Sequence, residues 1–265
     1  MKKLLSLTLI IILSAGFFDG CKKDKGEPPD LPPMESMTID FSNFLTLKKG
    51  ATLAEQKGTE NSNWEFAATV AGFWNILLTT TLAIPVTSFR LAIDQDPVWL
   101  SAKTWQWSYN ASFAGVTYKA RLTGQIGATE VIWTMYVSST TITEFVWFEG
   151  TSKLDGTGGQ WILNESSISK VAFLQIDWTK TSSSIGSITY TYVKNDSFNN
   201  SNIKYELTTG TFDSKYTVHY YNGVKFSDIN IEWNKSGHNG RVKSTDYLDG
   251  SWFCWNSNKI NETCL

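Results

Sequence analysis

From Lys103 onward the chain alternates apolar and polar residues in short runs, the period-two signature of half-buried β-strands. "KTWQWSYN" places Trp105, Trp107 and Tyr109 on one face and Thr104, Gln106 and Ser108 on the other. "GVTYKARL" repeats this with Val116, Tyr118, Ala120 and Leu122, and "VAFLQIDW" with Leu174, Ile176 and Trp178. "NIKYEL", "KYTVHYY" and "DINIEW" carry the pattern on. Turn chemistry separates the runs, as in "LDGTGG", "YNG", "KSGHNG" and "YLDG". About eleven strands follow one another with no helical pattern between them. Hairpins therefore connect them, and not βαβ crossovers. No fixed repeat length marks a propeller or solenoid.

A meander with one apolar face can turn it inward, as a soluble barrel or half-barrel, or outward into lipid around a wet lumen. One helical segment favours the inward solution. "SNWEFAATVAGFWNILLTTTLAIPVTSFRLAI" opens with the capping-box spacing Ser62-x-x-Glu65. It then carries Trp64, Phe66, Val70, Phe73, Trp74, Leu77 and Leu78 nearly all round the helical wheel. Pro85 predicts a stop or kink near Ala83 or Ile84, so the helix is expected near 63–84. A helix apolar on every side lies in a core or in a membrane. Glu65, Asn75, the Thr79–Thr81 run and Pro85 favour the core, and an inward sheet face would line it. The expected fold is mainly β, a long antiparallel up-and-down meander forming a closed or half-open soluble barrel. One kinked N-terminal helix packs in or across it.

The first 36 residues have a different texture. Lys2 and Lys3, the apolar run from Leu4 to Leu13 and the small residues Ser14, Ala15 and Gly16 form a secretory signal, too short to span a bilayer. Gly20 directly precedes Cys21, and here the stretch resembles a bacterial lipoprotein signal with a relaxed lipobox, of the Bacteroidota type. Phe18 and Asp19 depart from the usual Leu and small residue. The resemblance implies a signal peptide over 1–20, lipid attachment at Cys21 and a place at the bacterial outer membrane, facing either periplasm or surface. Ordinary cleavage near Ala15 or Gly16, leaving Cys21 free or paired, is the alternative. Residues 21–36 hold four prolines and dense charge, which predicts an extended, solvated tether before a single domain over 37–265.

Composition trims the list of functions. A net charge of −2 provides no footprint for nucleic acid. With Cys21 lipidated, Cys254 and Cys264 are expected to pair in an oxidising compartment and staple the C-terminal loop. No cofactor or metal is expected, because no further Cys and no nearby His completes a ligand set. His219 and His238 are the only histidines, and neither neighbours a candidate nucleophile. No Gly-x-Ser-x-Gly elbow or phosphate loop occurs. Asp177, Glu206 and Glu232 fall mid-strand on polar faces and read as solvated charges, so no enzyme is expected.

Twelve tryptophans remain. Trp74, Trp105, Trp107, Trp133, Trp178 and Trp233 are candidate ligand-lining residues; alternatively they fill a wide core. In organisation, though not in residues, the chain resembles lipocalin-type barrels and the half-barrels that carry lipoproteins between membranes. That resemblance implies a lipid or other apolar ligand held between helix and sheet. The competing reading is a structural or interaction lipoprotein with a solid core and a protein or glycan partner.

Overall fold

The computed structural model describes residues 25–45, 59–113, 115–181 and 184–264. The expected signal peptide, Cys21 as the expected lipid-bearing residue, and the start of the expected tether lie outside the described residues. Fourteen strands pair antiparallel in strict chain order within one sheet. The first half comprises β1 Val98–Ser101, β2 Thr104–Phe113, β3 Val116–Ile126, β4 Glu130–Ser138, β5 Phe145–Lys153, β6 Gly158–Asn164 and β7 Ala172–Lys180. The second comprises β8 Ile185–Tyr192, β9 Asn202–Leu207, β10 Ser214–Tyr221, β11 Phe226–Trp233, β12 Gly240–Ser244, β13 Phe253–Trp255 and β14 Asn261–Glu262. The alternation accounts for β2–β12. The three additional strands sit at the ends of the sheet and are too short for a period to show. The sheet is open, with β1 and β14 as its edges.

A single row of paired residues crosses the inner face of the first half. Trp105 opposes Gly124, Gly124 opposes Trp133, Trp133 opposes Gly150, and Gly150 opposes Trp161. The glycines make room for the indoles. A Cβ on Gly124 would lie 2.5 Å from the Trp133 ring, and one on Gly150 would lie 2.7 Å from the Trp161 ring and collide with the carbonyl oxygen of Gln160. Gly159 beneath Trp178 and Gly240 beneath Trp255 repeat the device elsewhere. Glycine inside a strand marks such a close approach, and the overlying ring replaces the packing that glycine lacks. Beyond Trp161 the row continues through Ile176, Tyr190, Ile203, Val218 and Ile229.

Helix α1, Ser62–Ile93, lies against this inner face. Asn63 fixes its start: its side-chain amide donates to the Cys254 carbonyl in β13 and accepts from the Tyr247 hydroxyl. Near its other end the Tyr109 hydroxyl of β2 donates to the Ser88 carbonyl, and Phe89 meets Phe148 and Trp161 edge-on. The sheet thus wraps one helix from both of its ends.

Three expectations change. The helix does not stop near Ala83; it runs through Pro85 to Ile93. Proline costs about 3 kcal/mol in a helix interior, but Pro85 is buried and the turns after it are held by Phe89 and Ser88. Ser62 and Glu65 begin the helix without a capping box: Asn261 donates to the Ser62 hydroxyl, while Glu65 accepts from Thr59. The helix is also not buried all round, because Phe73, Ile76 and Leu77 stay exposed along one flank.

The distal tether is a further departure. It is not a solvated spacer: Pro32, Ser36 and Met37 are buried, and a 3-10 turn forms over Met34–Met37. The Trp161 indole donates to Ser36, and the Tyr216 hydroxyl donates to the Asp40 carbonyl. Phe41 packs on Tyr216, and Phe44 on Tyr216, Trp233 and Trp255. The segment 34–44 fills inner-face space that α1 leaves uncovered. At the chain's other end Cys254 and Cys264 form the expected disulfide, with Cα atoms 5.2 Å apart.

Gly150→Ala should therefore lower stability by about 3 kcal/mol or more, since a backbone oxygen cannot step aside. Gly210→Ala, with nothing within 4 Å of its new methyl, should stay within about 0.5 kcal/mol. Urea unfolding of both variants checks this contrast.

Candidate functional site

Two apolar clefts open beside α1, one on each flank. The first, of 250 Å³, is walled by Phe73, Trp74, Leu77 and Thr81 of the helix. Its floor and rim are Phe173 and Leu174 of β7, Tyr192 of β8, Phe198, and Tyr220 and Tyr221 of β10. The second, of 270 Å³, lies between Asn75, Thr79, Leu82 and Val86 of the helix and the strap Met37–Phe41. Tyr190 of β8 is its one contribution from the sheet. Leu78, on the underside of α1, borders both. Among the described residues no charged side chain lines either cleft. Each falls just under the roughly 300–1,000 Å³ of ordinary ligand sites.

The helix above them is built to yield. Pro85 has no N–H to offer the Thr81 carbonyl. The Thr81 hydroxyl donates back to the Leu77 carbonyl, a contact that slightly destabilises and often bends a helix.

Of the six candidate tryptophans, Trp74 alone lines an apolar cleft. Trp107, Trp133 and Trp233 are core residues; Trp107 packs on Trp133, whose indole N–H donates to Ser152. Trp105 is nearly buried, and its N–H has no partner among the described residues. Trp178 sits under the docked tether, in a polar 710 Å³ recess walled by residues 27–33, Lys153, Asp155 and Lys180. Reading the strands one at a time placed these indoles inward but missed Tyr190, whose signal is its inward phase in "ITYTY".

The polar candidates are engaged with neighbours. Asp177 accepts from Gln160 and Gln175, Glu206 pairs with Lys204, and Glu232 takes two donors from Arg241. His219 pairs with Asp228 at 2.7 Å and stacks on Phe226, while His238 meets Asn43. No group of three potential metal ligands exists among the described residues.

The buried phenols carry the site's electrostatics. Burial pushes Tyr190 and Tyr216 well above the usual tyrosine range and raises Tyr109 as well. Tyr192, at the mouth of the first cleft, is pushed up to about 12 by desolvation, helped by its hydrogen bond to Asp196.

No protein-family model, curated protein or solved structure matches the chain.

These phenols set the alkaline limit of the fold. Unfolded tyrosines lose their protons near pH ~10, whereas the buried ones keep theirs, so the unfolded state binds fewer protons above that pH. Stability is fully present below pH ~10 and declines as pH rises beyond it. The urea midpoint should be flat from pH 8 to pH 9.5 and fall steeply by pH 11. Tyrosinate absorbance from these residues should appear only with unfolding.

Proposed function

We propose that this protein is a membrane-anchored envelope lipoprotein that holds a lipid or other apolar ligand between α1 and the sheet. The supporting observation is the uncharged cleft at Phe73, Trp74 and Phe173, bordered by a helix flank on which Phe73 and Ile76 are 60% and 69% exposed. Large apolar side chains gathered around an open cleft mark binding surfaces.

The docked tether adds a geometric consequence. Only Lys22, Lys23 and Asp24 separate Cys21 from Lys25, whose ammonium sits 5.5 Å from the Trp99 ring centre. A lipidated Cys21 would thus lie within ~14 Å of Lys25. Residues 27–33 dock at the rim formed by the β3–β4, β5–β6 and β7–β8 ends. The cleft opens at the opposite rim; Phe173 and Lys180 stand at the two ends of β7, ~24 Å apart. An anchored domain would therefore present its cleft away from the leaflet that holds it, as transfer to another acceptor requires. The solidly packed indoles at Trp107, Trp133 and Trp233 favour the second reading, an interaction lipoprotein with a filled core that uses its exposed helix flank or a glycan-facing surface.

Labelled palmitate should enter the wild-type chain in cells and not the Cys21→Ser form; equal labelling would remove the anchor from this reading. Native mass spectrometry of the full chain, released from membranes in mild detergent, decides the ligand. A reproducible added mass lost on organic extraction is expected, and Phe73→Ser should abolish it while shifting stability by no more than about 0.5 kcal/mol. Bare protein in every preparation would leave the solid-core reading.

A further inference from the structure

Tyr190 is fully buried in the second cleft's floor, and its hydroxyl has no hydrogen-bond partner among the described residues. An orphaned buried hydroxyl is costly, and natural cores rarely keep one without a use. Of the other buried phenols, Tyr216 donates to the Asp40 carbonyl, while Tyr205 is likewise unpartnered among the described residues but lines neither cleft. The cleft around Tyr190 is uncharged: Met37, Phe41, Leu78, Leu82 and Val86 line it together with the neutral polar side chains of Thr38, Asn75, Thr79 and Thr87. The other cleft begins two residues along the same strand, at Tyr192, and shares Leu78 with this one.

We infer that the two clefts are halves of one channel beneath α1, divided by Leu78, and that the Tyr190 hydroxyl receives the polar end of the ligand. This rests on the apolar-ligand reading and narrows it to a chemical class. A phenol can donate or accept one hydrogen bond but supplies no charge. With no Lys, Arg or His lining either cleft among the described residues, an ionised head would be stranded. The ligand is an apolar chain ending in a neutral oxygen, such as a long-chain alcohol, aldehyde or ester. Its tail runs past Leu78 into the aromatic cleft at Trp74. Entry requires the flank of α1 to lift, and the segment over the channel is the one weakened by Pro85 and by the back-bond of Thr81 to the Leu77 carbonyl.

The test compares the full wild-type chain with Tyr190→Phe in the same detergent micelles, so that partition of probe into micelles cancels. Three probes that quench tryptophan fluorescence are titrated at pH 8: 12-bromododecan-1-ol, 1-bromododecane and 12-bromododecanoate. The alcohol should bind wild type about fivefold to tenfold more tightly than the variant, as one neutral hydrogen bond dictates. Bromododecane should bind both alike, and the carboxylate should bind wild type more weakly than the alcohol does. Tyr190→Phe should melt no lower than wild type, because it removes an unpaired polar atom. Equal alcohol affinity in the two proteins, a loss of bromododecane binding in the variant, or a preference for the carboxylate would each overturn the assignment while leaving an apolar site in place. Quenching by none of the three would overturn the apolar-ligand reading itself.

Discussion

The alternation of tryptophan and glycine across the inner face from β2 to β6 determines what the rest of the molecule can be. Bulky indoles in directly paired positions would push strands apart, because paired side chains stand only about 5 Å from one another. Glycine at every second strand lets each ring lie flat over its neighbour's backbone, and the collisions that a single methyl would cause show how little slack remains. The face so formed is broad, aromatic and hydrogen-bonded at its edges, as with Trp133 on Ser152 and Trp161 on Ser36. The sheet does not close on itself to bury that face, so other parts of the chain must cover it.

Covering it is the work of α1 and the strap 34–44. Neither suffices alone. The helix is anchored at both ends, by Asn63 on β13 and by Ser88 on β2, while the strap plugs its aromatic side chains in among Tyr216, Trp233 and Trp255. Between those fastened points the helix passes over β7–β10, where the row changes from indoles to Ile176, Tyr190 and Ile203. The sheet side of the two clefts is formed there by Phe173, Leu174, Tyr190, Tyr192, Tyr220 and Tyr221.

The strand pattern was legible because each residue's face follows from its own position in a run. Trp105, Trp107, Ile176, Trp178, Ile229 and Ile231 all point inward as their phase dictates. Trp–Gly pairing was not legible, since register belongs to two strands at once and no single run contains it. The strap escaped notice for a different reason. Its residues straddle the expected boundary between tether and domain at 36/37 and are aperiodic, so no element is predicted there, and only the space left by α1 turns Met37, Phe41 and Phe44 into core. The helix offered no phase at all: with apolar residues all round, its buried side was fixed by the sheet it met and not by its own sequence. Of the candidate ligand-lining tryptophans, only Trp74 reached an apolar cleft, because indoles that fit so tightly over glycine have no free face to offer.

That last point bears on what the site can bind. A glycan platform needs an exposed indole face, and the inner-face indoles are sealed beneath α1 and the strap. An apolar chain needs only a narrow slot with soft walls. Trp74, Leu78 and Phe173 provide the slot, and the weakened turns near Thr81 and Pro85 provide the softness. Tyr190, a buried phenol without a partner among the described residues, lies in the floor of the other cleft, and in the proposed channel it is what a neutral, oxygen-tipped chain would meet. A charged head group would forfeit its hydration there and gain no counter-ion. On the proposed reading, an uncharged lining would therefore disfavour ionised lipids, and a narrow slot would favour an extended chain.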